Sequence, residues 1–322
     1  MIDKKNKKRT PTFEERVDII THHWPSPLRV VLIATKSFLY YHGTIRAAAM
    51  TYTSFLAVIP LLILLTAITL ALGLGTFFSD YLPVLNGLFS LDLPLDRIMP
   101  LLQNAETISL SNLGLIGSIS VFVTFILAIG NLETNMNVVW ENKVSRSIPK
   151  QLIAYTPLLL LGAGGIGLFA KFVSQFKETL LQIAIGGHGL PVNYVGTVIE
   201  AFWVIALNVV IILLLFAAIY LLPFRRVDDI SYKKLFLPSI GVSIAVWAAN
   251  YTYLLILVKL QTNLFTRMSL FYGSLAFIPL VLLFVFGFWA IVLYGNCLVW
   301  TIYNWPNVAK KHWNWVGTKG NL

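Results

Sequence analysis

The sequence has few charged residues and one cysteine, and both shortages limit what the protein can be. Charged residues make up 12% of the chain and hydrophobic residues 57%, whereas a soluble domain carries about 25% charged residues. Cys297 alone cannot form an intramolecular disulfide, and a thiolate metal site needs several cysteines. These shortages exclude an ordinary soluble domain, a disulfide-stapled domain and a thiol-metal site.

Long apolar runs recur along almost the whole chain. A bilayer core of about 30 Å is crossed by about 20 mostly apolar residues, and six runs qualify: 49–75, 112–139, 152–172, 196–222, 235–260 and 274–302. The sequence therefore predicts an all-α, polytopic membrane protein with six transmembrane helices. Its predicted parts are a basic tail over 1–26, one membrane domain over 27–305 and a second tail over 306–322.

Acidic residues are scarce beside basic ones, with 14 Asp and Glu against 24 Lys and Arg. If the N-terminus is cytoplasmic, 19 of the 24 fall on the inner side of the six spans, and only Arg97, Lys171, Lys177, Lys259 and Arg267 fall outside. This positive-inside bias predicts that both termini are cytoplasmic. The basic surplus then faces the anionic headgroups of membrane lipids, so we expect no nucleic acid partner.

A further helix is predicted before the first span. Ser26 is a suitable N-cap and Pro27 suits the first helical position. Val31, Phe38 and Ile45 recur at heptad spacing, which predicts an amphipathic helix lying along the inner membrane surface. A short soluble helix is the alternative.

Three segments resemble signature segments of the YihY/BrkB family of bacterial inner-membrane proteins: 46–65, 132–147 and 272–296. The matching residues are Arg46, Tyr52, Pro60, Glu133, Asn137, Trp140, Arg146, Tyr272, Gly273, Pro279 and Gly295. The resemblance implies six helices and an inner-membrane location. Many sequences of that family once carried the label ribonuclease BN, widely held to be a misassignment. The family often has Gly-Ala-Glu in its last helix, and this chain has Cys297 in place of the acid.

Glu133 is the most unusual residue of the predicted spans, because an acid in the bilayer interior costs roughly 2.5 to 3.5 kcal/mol and should face the bundle interior. We expect it to be the centre of a cytoplasm-facing polar cavity that binds a substrate or ion. The predicted site comprises Glu133, Asn137, Asn296 and Tyr52, with Arg46 near its mouth. Secondary candidates are Asn131, Asn135, Asn208, Asn250, Glu200 and Lys259. The alternative is a structural knot that fixes helix packing through hydrogen bonds.

These features favour a transporter, or a translocator of lipids or small molecules, over an enzyme. RNA hydrolysis would need paired carboxylates, a metal cluster or a histidine base on the cytoplasmic side, and the loops offer no such pattern. We expect no catalytic residue, no metal and no cofactor. The alternative function is a non-catalytic envelope scaffold, and either function is compatible with a homo-oligomer or an envelope protein partner.

The predicted orientation can be tested by labelling introduced cysteines with a membrane-impermeant thiol reagent. In a Cys297→Ser background, Asp228→Cys should stay unlabelled in intact cells, after permeabilisation of any outer membrane, because loop 223–234 is predicted to be cytoplasmic. Asp92→Cys, in the first predicted outer loop, is the matched control and should be labelled. Strong labelling at position 228 would refute the orientation.

Overall fold

The computed structural model is all-helical in the residues that it describes, which are 26–71, 99–100, 103, 110–140, 146–151, 153–156, 179, 192–221, 223, 231–272 and 277–305. Within them lie six long helices: α1 (Ser26–Tyr40), α2 (Gly43–Ala71), α3 (Leu110–Asn137), α4 (Val192–Tyr220), α5 (Tyr232–Tyr272) and α6 (Phe277–Tyr303). A 3₁₀ turn, Val138–Trp140, follows α3. The all-α prediction is confirmed for this part of the chain.

The predicted spans agree with these helices in different degrees. Helices α2 to α6 cover most of five predicted spans, and α1 begins at Ser26, as predicted. The predicted span 152–172 lies mostly outside the described residues. Within the described part, three segments are long and apolar enough to cross a membrane: Ile119–Trp140, Tyr232–Leu257 and Val281–Tyr303. Asn208–Tyr220 is a shorter apolar helix. The count of six spans and the orientation stay predictions.

Helix α5 departs most from its predicted span. It has 41 residues and continues to Tyr272, whereas the apolar run ends near residue 260. No glycine or proline interrupts residues 261–272, so nothing in the local sequence ends the helix there.

Helix α6 is the centre of the described bundle, since it packs against α1, α2 and α5. Val292, Leu293 and Val299 of α6 are at most 1% exposed, and Met50 of α2 and Met136 of α3 are fully buried in the same core. Helix α3 packs on α2, and α4 packs on α5. The main contacts thus link the described helices in the order α3, α2, α6, α5 and α4.

The turn between α1 and α2 brings the two helices together at an angle. His42 has a φ of 54°, in the left-handed region that non-glycine residues rarely adopt. At Gly43, an added Cβ would lie 2.3 Å from the Phe38 ring, so only glycine fits. Arg46 Nε donates to the Tyr41 carbonyl at 2.7 Å and ties α2 back to the end of α1.

Gly295 provides a test of this packing, because a Cβ there would lie 2.4 Å from Val246 Cγ2 and 3.5 Å from Ile219 Cδ1. Gly295→Ala should lower the stability by about 1 to 3 kcal/mol, as overpacking of a core does. Gly241→Ala is the matched control, since a Cβ there meets nothing within 4 Å. It should leave the melting temperature in detergent unchanged or raised, and equal losses in the two variants would contradict the packing described here.

Candidate functional site

The Glu133 carboxylate is completely buried near the end of α3, with 0% of its side chain exposed. A buried carboxylate loses its hydration, which costs several kcal/mol unless a cation and hydrogen-bond donors replace the water. The partners of Glu133 therefore determine what this part of the molecule can do.

Arg146 and Tyr155 supply those partners, and we call the three residues the Glu133 cluster. The Arg146 backbone N–H donates to Glu133 Oε1 at 2.8 Å, and Arg146 Nη1 lies 3.3 Å from Oε2. The Tyr155 hydroxyl also donates to Oε2. Arg146 Nη1 in turn donates to Tyr155 Oη at 2.8 Å. Both carboxylate oxygens are thus bonded, and the negative charge is paired.

Arg146 also reaches the end of a different helix. Its Nη2 donates to the Leu221 carbonyl oxygen at 3.1 Å, directly after α4. The last carbonyls of a helix lack intrahelical partners and carry partial negative charge, so a guanidinium is a favourable partner there. One side chain thereby connects α3 to α4, the first and last helices in that order of contacts.

The chain segment that carries Arg146 is positioned by its own short helix. The Gln151 N–H donates to the Ser147 carbonyl, and residues 148–151 and 153–156 are helical. Gln151 and Tyr155 are four residues apart and share a face, and both are buried. Gly130 of α3 makes room for this face, since a Cβ there would lie 3.2 Å from the Gln151 amide.

The structure divides the predicted site residues among three sets of polar contacts made by α3, and the Glu133 cluster is the first of them. Asn296 of α6 hydrogen-bonds groups other than Glu133: its Oδ1 accepts from Trp140 Nε1 at 2.9 Å, and its Nδ2 donates to the Met136 carbonyl at 2.9 Å. Asn137 is also buried, with 1% exposed. This second contact ties α6 to the end of α3.

The third contact is a chain of polar groups between α2 and α3, which we call the polar seam: Arg46, Thr53, Asn131 and Asn135. Arg46 Nη1 donates to Asn135 Oδ1 at 3.3 Å, Asn135 Nδ2 donates to Asn131 Oδ1 at 2.6 Å, and Asn131 Nδ2 donates to Thr53 Oγ1 at 2.8 Å. Arg46 and two secondary candidates are therefore together, but apart from Glu133.

The remaining candidates lie elsewhere. Tyr52 is 65% exposed on the outside of α2 rather than among the buried groups around Glu133. Asn208 accepts from Trp247 Nε1 at 3.0 Å, which joins α4 to α5, and Asn250 donates to the Val246 carbonyl within α5. Lys259 is exposed on α5. Glu200 belongs to α4, and its side chain lies outside the described part.

Sequence reasoning missed the partners of Glu133. Arg146 is predicted only as a cytoplasmic charge and as a residue shared with the resembling family, and Tyr155 and Gln151 are not among the predicted site residues. One signal was available in the sequence. Arg146 lies 13 residues after the acid expected to be buried, and Ser147, a suitable N-cap, follows it directly before the next helix. Their contact requires the chain to turn back on α3, which spacing alone does not reveal.

The apolar helices and the buried ion pair define a helical membrane protein whose polar groups lie at helix contacts. The family model of virulence factor BrkB matches residues 34–317, and the chain belongs to that family.

Curated relatives of the chain are UPF0761 membrane proteins. One from Psychrobacter sp. (strain PRwf-1) is 24% identical over 89% of this chain and 50% of its own length. One from Acinetobacter baylyi is 28% identical over 77% of this chain and 56% of its own length. One from Kangiella koreensis is 24% identical over 83% of this chain and 62% of its own length. The chain thus spans between half and two thirds of these relatives. No solved structure matches it.

The energetics of the Glu133 cluster can be tested with a double-mutant cycle. Arg146→Met should destabilise the protein by about 3 to 5 kcal/mol, because it leaves a buried carboxylate without its cation. Adding Glu133→Gln to Arg146→Met should recover part of the loss, since the remaining groups are then neutral. Apparent melting temperatures in detergent measure both. Additive losses of the two single variants would contradict a direct ion pair.

Proposed function

We propose that the protein is a translocator of lipids or small molecules in which the Glu133 cluster holds α3 and α4 together at the end predicted to be cytoplasmic. The observation that carries the proposal is the double engagement of Arg146, which pairs with Glu133 of α3 and binds the carbonyl that follows α4.

An ion pair at this position suits a helix contact that breaks and re-forms better than it suits a permanent helix contact. Well-packed apolar residues usually stabilise a helix contact as well as a buried ion pair does, without the cost of desolvating two charges. An ion pair differs in that a competing charged group that binds Arg146 weakens it at once. The Arg146 side chain is 16% exposed, so an ion or headgroup can approach it without prior unfolding of the bundle.

Release of Arg146 would act on α3 first. The Arg146 backbone N–H and guanidinium and the Tyr155 hydroxyl all bond the same carboxylate, so loss of its charge weakens three contacts together. Helix α3 would then tilt away from α4, while the polar seam still holds it to α2 and Asn296 still holds its end to α6. Such a movement opens and closes a path at one end of the bundle, as alternating access requires.

A second candidate function is a non-catalytic envelope scaffold. The Glu133 cluster also supports this function, because both carboxylate oxygens of Glu133 are bonded and the carboxylate has no exposed surface. In a scaffold the cluster would fix helix packing and would carry no substrate.

Reconstitution distinguishes the two functions. Purified protein in liposomes should speed the exchange of fluorescent phospholipids between leaflets, or the passage of ions reported by trapped dyes, above the rate of protein-free vesicles. Glu133→Gln should change that rate severalfold per folded molecule, because it removes the charge that holds Arg146. Glu133→Asp, which keeps the charge, should retain part of the wild-type behaviour.

Thr252→Val is the control variant, since the Thr252 hydroxyl bonds only a carbonyl of its own helix among the described contacts. Its rate per folded molecule should match the wild type. A lower melting temperature of Glu133→Gln with an unchanged rate per folded molecule, or no transport by the wild type, would refute the translocator and favour the scaffold.

A further inference from the structure

The polar seam is partly open to the outside of the bundle, unlike the Glu133 cluster. Asn131 is exposed, Arg46 and Thr53 are half-buried, and only Asn135 is buried, at 8%. Leu127, one turn before Asn131, is 62% exposed, and Leu56 of α2 is 53% exposed. A line of polar groups therefore runs between apolar surfaces that the prediction places in lipid.

The seam extends inward from the membrane boundary. Arg46 lies three residues before the first predicted span, and Thr53 lies seven residues further on, which is about 10 Å at the helical rise. Polar groups that face hydrocarbon at this depth are costly unless they bond one another or a polar ligand. The seam residues bond one another in part, but Asn131 keeps an exposed surface.

Arg46 supplies a positive charge that its own contacts do not neutralise. In the described part of the chain, its guanidinium donates to the Tyr41 carbonyl and to Asn135 Oδ1, which are both neutral acceptors. Those bonds use two of its five N–H groups. The remaining groups form a planar fork, which suits the paired oxygens of a phosphate.

We propose that the polar seam binds the phosphate headgroup of a membrane phospholipid, with Arg46 on the phosphate and Asn131 and Thr53 beside the glycerol ester groups. The exposed leucines would then contact the acyl chains. This inference rests on the proposed translocator function and names its substrate class. Because α3 carries the seam on one side and Glu133 on another, movement of α3 would change the seam.

Native mass spectrometry of the full chain in detergent micelles tests the binding directly, with phosphatidylglycerol as the probe. Arg46→Gln should weaken binding by about tenfold, as expected for loss of a charged hydrogen-bond donor. Lys233→Gln is the matched control, since it removes an exposed cation at the same predicted boundary away from the seam. It should bind like the wild type. Equal weakening in the two variants would overturn a specific site.

Two further variants keep the test valid if Arg46→Gln does not fold. Asn135→Asp retains Arg46 but places a carboxylate beside its guanidinium, so it should weaken phosphatidylglycerol binding severalfold. Arg46→Lys should keep only part of the binding, since the charge remains but the planar fork is lost. Thermal unfolding checks that each variant is folded. Unchanged binding in Asn135→Asp would overturn the proposal.

Inorganic phosphate distinguishes a lipid from a soluble anion as the ligand. Millimolar phosphate should displace little phosphatidylglycerol if the acyl chains contribute to binding, and full displacement would overturn the lipid assignment. The experiments can refute the lipid-binding site and the translocator function independently of each other. Arg46-dependent binding without any translocation would support the seam and refute the translocator, whereas translocation that is unaffected by Arg46→Gln would refute the seam alone.

Discussion

Burial of one carboxylate among apolar helices imposes the strongest constraint on this structure. Glu133 has no exposed surface, so its charge must be compensated by groups of the protein. The nearest part of its own helix cannot do this, and the compensation comes from Arg146 and Tyr155, which follow α3 in sequence and turn back on it. The close approach of Arg146 and Tyr155 to α3 follows from that requirement.

Helix α3 makes polar contacts in three directions. It bonds the Glu133 partners on one side, Asn296 of α6 on another, and the polar seam joins it to α2. Directional bonds of this kind fix the rotation of a helix and its position along the membrane normal. Apolar side chains do so only weakly in a membrane, because lipid tails are as apolar as leucine. The asparagines of α3 therefore specify a position, whereas the leucines supply contact area.

Composition and periodicity predicted the helices well, because the length and polarity of each run are local properties. They predicted Glu133 as buried for an energetic reason, and that burial is observed. They did not predict which residues meet. Asn296 and Tyr52 were expected beside Glu133, but the length and polarity of a span leave the rotation of its helix undetermined. The contact of Arg146 with Glu133 was not predicted because it depends on a reversal of the chain, and positive-inside counting treats such residues as interchangeable.

The length of α5 has a mechanical consequence. Its 41 residues extend for about 60 Å, whereas even a helix tilted by 40° crosses a hydrocarbon core of about 30 Å within about 40 Å. If α5 crosses the membrane as predicted, about a third of it projects beyond the hydrocarbon as a continuous helix. Such a helix would act as a lever, since a small rotation among the packed helices would become a larger displacement at its far end.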